Sequence, residues 1–111
     1  MTITVKVLIP AKIAEATQTT QYTASGVTTI IDKFTATNIS AAAATISVNL
    51  VTSADTAGNQ NLITKTKTLQ PSEVYTFPEL VGQVLSAGAF VSTIAGTASA
   101  INIRASGREV S

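Results

Sequence analysis

The sequence has no cysteine, no tryptophan and no histidine, and only 12% of its 111 residues are charged. Each absence excludes something. Without cysteine there are no disulfides, no thiolate metal sites and no thiol nucleophile. Without histidine the commonest general base and the commonest metal ligand are gone. Without tryptophan, and with two tyrosines and three phenylalanines, the aromatic platforms of a carbohydrate-cleaving groove are scarce. A net charge of +1, with lysines and arginines scattered along the chain, argues against a nucleic-acid binder, which needs a basic patch to neutralise phosphates. No apolar run approaches the roughly 20 residues of a membrane helix. Met1–Pro10 also lacks the basic-then-apolar pattern of a secretory signal. The expectation is a protein made in a cytoplasm, with no nucleic-acid, membrane or small-molecule partner and no cofactor.

What is present is aliphatic, β-branched and small. Apolar residues make up 45% of the chain, well above a disordered composition. Its length suits one domain. Thr, Val and Ile fit a pleated surface, and several stretches alternate with period two. In 44–52, Ile46, Val48 and Leu50 point one way and Thr45, Ser47 and Asn49 the other. In 98–106, Ile101 and Ile103 point inward and Asn102 and Arg104 outward; in 89–95, Phe90 and Ile94 share a face. The run 26–40 places Ile30, Phe34 and Ala36 together, but Asp32 falls on the same face, which predicts a bulge near Ile31. Lys65 and Lys67 in 61–70 mark an edge strand, where charge discourages stray pairing.

Turn signals at Ser25-Gly26, 53–61, Gln70-Pro71-Ser72, Ala87-Gly88 and Gly96-Thr97 separate these runs. The pattern predicts an all-β, antiparallel β-sandwich, jelly-roll-like or Greek-key, over 21–111. Residues 1–20 read as an extended N-terminal arm with one short strand at Ile3, Val5 and Val7. The segment 79–85 after Pro78 reads as a helical turn or two at a corner, with Leu80, Val84 and Leu85 plugging the core.

No spacing of residues spells catalysis. The carboxylates Glu15, Asp32, Asp55, Glu73, Glu79 and Glu109 are isolated from one another in sequence. The loop 53–61 offers Asp55, Asn59 and Asn61 as oxygen ligands for calcium, but it lacks the acids of an EF-hand. A solvated hairpin loop is the favoured reading. Tyr22, Tyr75, Phe77 and Phe90 read as core or intersubunit packing, and Gly107 as a turn or bulge. Arg104 and Arg108 could grip a partner's carboxylates or simply line a solvated strand.

Four segments together carry a resemblance: 20-TQYTASGVTTIIDKFTATN-38, 46-ISVNLV-51, 61-NLITKTKTLQPSEVYTFPELVGQVLSAGAF-90 and 101-INIRASGREV-110. This order resembles small virion structural proteins of tailed bacteriophages, over about residues 20–110. The resemblance implies a β-sandwich on the capsid exterior, of the cement or decoration type, a dimer or trimer bound to the major capsid protein. A neck, tail or fibre-base protein is the first alternative. A small carbohydrate-binding attachment module is the second. The residues expected at partner contacts are Val7, Ile9 and Ile13 of the arm, Leu80, Val81 and Leu85 of the corner, and Arg104 and Arg108.

Overall fold

The computed structural model describes all 111 residues. It contains nine strands: β1 (Ile3–Ile13), β2 (Thr19–Thr23), β3 (Thr28–Asn38), β4 (Ala44–Val51), β5 (Leu62–Leu69), β6 (Val74–Tyr75), β7 (Val84–Leu85), β8 (Phe90–Ala95) and β9 (Ile101–Val110). They form two antiparallel sheets. Sheet A runs β1-β9-β3-β6, with β7 also on β3; sheet B runs β2-β8-β4-β5. Taking the two short strands β6 and β7 as one interrupted strand gives the eight-strand order of a jelly roll. The expected antiparallel β-sandwich is therefore the observed fold.

The core between the sheets is aliphatic with an aromatic centre. Phe34 and Phe77, both fully buried, meet edge to face with ring centroids 4.8 Å apart. Tyr75 tilts onto Phe77 at 4.6 Å. Ile31, Ile46, Leu69, Leu80, Ile101 and Ile103 close around them.

The bulge expected near Ile31 is there: the β3–β9 register shifts between Ile31 and Lys33. It resolves the conflict in the sequence pattern. Thr29 and Ile31 face inward before it, Phe34 and Ala36 after it, and Asp32 is left on the outside. Ile30 therefore lies on the outer face and does not share a face with Phe34. Gly107 sits opposite Ile31 at this point. A Cβ there would stand 2.1 Å from the Ile30 carbonyl oxygen. The glycine allows a close approach of two central strands; it does not make a turn.

Two expectations are corrected. The N-terminal arm is a structural strand: β1 pairs with β9 from Ile3 to Ile13, and Leu8 and Ile9 enter the core. Two register shifts, after Val7 and after Ile9, let these adjacent residues both turn inward. The corner 79–85 is a series of turns, not a helix. Gly82 takes φ +84°, its N–H bonds to the Ile31 carbonyl, and the Ile31 N–H bonds to the Gln83 carbonyl. Val84 then pairs with Ile30 on the outer face and is 57% exposed, so it does not plug the core. Leu80 and Leu85 do.

Candidate interaction face

The outer face of sheet A gathers most of the exposed apolar side chains. Ile3, Val5 and Val7 lie on alternate positions of β1, and Val5 is 83% exposed. Their partners on β9 are Val110, Arg108 and Ser106, and β3 and β7 add Ile30 and Val84 on the same face. Val81 is exposed on the adjoining corner. This apolar margin covers the half of the face on the Thr28–Ile31 side of the β3 bulge.

Polar groups occupy the middle of the face, and Ile13 and Val74 are exposed at its far end. Arg108 grips Asp32 bidentately, with Nη2 2.8 Å from Oδ1 and Nε 3.0 Å from Oδ2. The hydrogen bond from Arg108 holds the Asp32 carboxyl below its usual range. The pair ties the bulge of β3 to β9. Farther along, Lys33, Thr35, Arg104 and Ser106 line a shallow depression of about 230 Å³. Lys33 and Arg104 lie diagonally across β3 and β9, and neither has an acidic partner within the chain. Two cations with hydroxyls between them suit a carboxylate arriving from outside.

The residues singled out in the sequence divide cleanly. Val7 and Val81 are exposed, and so is Ile13 at the far end of β1, 39% exposed. Arg104 and Arg108 are on the outer face of sheet A. Ile9, Leu80 and Leu85 are buried, at 1%, 0% and 2% exposure, and are core residues with no surface to offer. The candidate face also includes Ile3, Val5, Lys33 and Val84, which are not among the residues expected at contacts. The alternation Ile3-Val5-Val7 was visible. Its outward direction was not, because that depends on pairing with a strand a hundred residues away.

All six carboxylates have structural employment. Glu109 accepts from the Tyr22 hydroxyl at 2.5 Å and from Lys6 at 3.2 Å. Tyr22 stands on sheet B and Glu109 on sheet A, so the bond clamps one margin of the sandwich. Glu79 on the corner accepts from Thr64 of sheet B at 2.5 Å and Tyr75 of sheet A at 2.7 Å, clamping the other. The Tyr22 hydrogen bond sets Glu109 below its ordinary value. Burial acts to raise Glu79, but the hydrogen bonds from Thr64 and Tyr75 outweigh it and leave it lowered. Tyr22 is pushed up to about 12, by burial first and then by Glu109, and Tyr75 to about 12 by Glu79. Glu15 holds Lys12 and Gln21, and Glu73 caps the Gln70 N–H.

In the loop 53–61, Asn61 accepts from Asn49 and Gly58 and donates to Asp55 and the Thr56 carbonyl. These bonds close the loop on itself, as the solvated hairpin reading requires, and engage two of the three side chains considered for calcium.

The chain matches no protein-family model, no curated protein and no solved structure.

Proposed function

We propose that this protein is a non-catalytic virion structural protein of the capsid cement type, binding the major capsid protein through the outer face of sheet A. The observation that carries the reading is the composition of that face: an apolar margin at Ile3, Val5, Val7 and Val84 beside the uncompensated cations Lys33 and Arg104. Contiguous apolar surface rimmed by polar groups marks contact surfaces rather than solvent-facing ones. The low charge of the chain reduces the desolvation penalty of such a contact. The resemblance of residues 20–110 to phage structural proteins supplies the setting. The jelly roll is used by viral capsid domains, lectins and cupins alike, so the fold is compatible with the reading and does not select it.

In this mechanism the apolar margin is buried against a capsid subunit, and carboxylates of that subunit enter the depression between Lys33 and Arg104. The protein works by adding contacts across the lattice, with no bond made or broken. It would reside on the capsid exterior.

The test is to purify virions and quantify this chain against the major capsid protein by mass spectrometry. A copy number comparable to the capsid protein's supports cement. A value lower by more than an order of magnitude moves the protein to the neck, tail or fibre base. Absence from virions overturns both and leaves an attachment module. Binding of purified protein to stripped particles checks the face: Val84→Asp and Arg104→Glu each weaken it, whereas Lys65→Glu on sheet B leaves it unchanged.

A further inference from the structure

Each sheet has two edges, and three of the four are blunted against pairing. On sheet B, β5 carries Lys65 and Lys67 and is irregular against β4, with Thr66 at φ +48°. The other edge, β2, is five residues long and bulged between Thr20 and Tyr22. On sheet A, β6 and β7 are two residues each and separated by the corner at Pro78. Short strands, lysines and bulges are the usual means of protecting an edge.

The fourth edge is β1. Its register with β9 is uninterrupted from Ile3 to Val7. The phase of the ladder is fixed by Thr2 and Ser111, which exchange two hydrogen bonds, at 2.8 and 2.9 Å. Thr4 and Lys6 therefore also point their backbone groups at β9. Ile3, Val5 and Val7 point theirs at the open edge. Within Ile3–Val7, Lys6 is the one charge that could guard this edge, and Glu109 holds it at 3.2 Å.

We propose that Ile3–Val7 pairs antiparallel with the same segment of a second copy of this chain, about a two-fold axis at Val5. In that register Val5 faces Val5 of the second copy, and Ile3 faces Val7 in both directions. These are the residues with open backbone groups, so every facing pair of them exchanges two hydrogen bonds. Thr4 faces Lys6, so the two lysines are never opposed. Moving the axis by one residue, to Thr4 or Lys6, leaves two hydrogen-bonded pairs within Ile3–Val7 where the axis at Val5 gives three, and at Lys6 it sets the two lysines opposite each other. Moving it to Ile3 or Val7 shortens the flat overlap. The outer faces of the two sheets A join, and the apolar side chains of both β1 strands form one stripe across the axis. The inference stands on the edge geometry and does not rest on the virion reading. A five-residue ladder is smaller than a stable interface needs, so the dimer forms reversibly and at high protein concentration.

Sedimentation velocity across a concentration series, with single substitutions, tests this on the full chain. The expected result for the native protein is a reversible monomer–dimer equilibrium. Val5→Pro removes the N–H that points outward and leaves the β1–β9 ladder intact. It should weaken dimerisation at least tenfold with the thermal transition little changed. The chain has no cysteine, so introduced ones report the register. Facing hydrogen-bonded residues have Cα atoms about 5.5 Å apart, within disulfide reach. Under mild oxidation Val5→Cys should cross-link to itself. Ile3→Cys and Val7→Cys should each form no disulfide alone and cross-link when mixed. A native protein that remains monomeric to millimolar concentration overturns the proposal. So does Val5→Pro dimerising like the native chain, or Ile3→Cys cross-linking to itself as readily as Val5→Cys. Should Val5→Pro fail to fold, the cysteine pairs still decide.

Discussion

Replacing Gly107 by alanine adds one methyl group at the most crowded backbone contact in sheet A. The new Cβ would lie 2.1 Å from the Ile30 carbonyl oxygen, 2.9 Å from Leu8 Cδ1 and 3.2 Å from the Ile30 carbonyl carbon. An ordinary carbon–oxygen contact is about 3.3 Å or longer, so β3 must retreat from β9 by about 1 Å. Leu8 can yield by rotating, but the carbonyl is backbone held by the bulge at Asp32 and by the bonds between Ile31 and the corner at Gly82 and Gln83. Overpacking of this kind costs about 1–3 kcal/mol. Each ladder bond stretched as the strands part adds about 0.5–1.5 kcal/mol. Against this, alanine in a strand is favoured over glycine by about 0.5–1 kcal/mol through the unfolded state. The net expectation is a loss of about 2 kcal/mol. Urea unfolding would show a lower midpoint at unchanged slope, and the thermal midpoint would fall by about 10 °C. Gly26→Ala is the comparison: its φ is +69° but no atom lies within 4 Å, so only the backbone penalty of about 1–2 kcal/mol applies. A Gly107→Ala loss below about 0.5 kcal/mol, or a gain, would refute the close-approach reading of the β3–β9 contact.

Three further outcomes are expected. Phe77→Ala removes the ring at the centre of the core and should cost about 3–5 kcal/mol, read by urea unfolding; a loss under 1 kcal/mol would contradict the packing against Phe34 and Tyr75. Asn38 is buried and donates to the Ala42 and Leu69 carbonyls, both at 2.9 Å. Asn38→Ala leaves those acceptors without it and should cost about 1–3 kcal/mol, with amide exchange fastest around Ala42 and Leu69. Glu79 and Glu109 have lowered folded-state values relative to the ordinary 4.5. Their stabilisation is therefore fully present above pH 4.5 and is lost as pH falls through the lowered values. Thermal midpoints should hold steady down to about pH 5 and then drop, and a Glu79→Gln, Glu109→Gln double variant should flatten that acid limb. An acid limb identical to the native one would remove both clamps from the account.

The two-sheet architecture was legible because its signal is local. Period-two alternation at 44–52 and 98–106, lysines at 65 and 67, and Pro71, Gly88 and Gly96 as punctuation each follow from a few neighbouring residues. The β3 bulge was legible for the same reason, since Asp32 breaks its own strand's pattern. The arm is not legible as a strand because β1 owes its order to β9, far away in sequence, and because bulges let Leu8 and Ile9 face inward together. Val84 lies outside the core because β7 and Gly82 impose extended and left-handed backbone where the sequence pattern alone suggests a helical spacing across 79–85. Phe77 at φ +45° left no local signal at all. The candidate face was half visible: Arg104, Arg108 and Val7 could be picked out, but which side of a sheet they share depends on register.

The position of β9 also governs the order of assembly. Every strand of sheet B lies between residues 19 and 95, so that sheet can pair as soon as those residues have left the ribosome. Sheet A cannot: β9, the last strand in the chain, is the wedge between β1 and β3. Until it arrives, the first strand made has no partner, and β3 is covered on one side only. Such waiting edges are exposed to other nascent chains. Pairing the earliest strand with the latest also requires closing the longest loop in the molecule, which slows folding. A newly made chain can complete sheet B before sheet A, and a chaperone that shields β1 during that interval would raise the yield of native protein without ever touching the finished one.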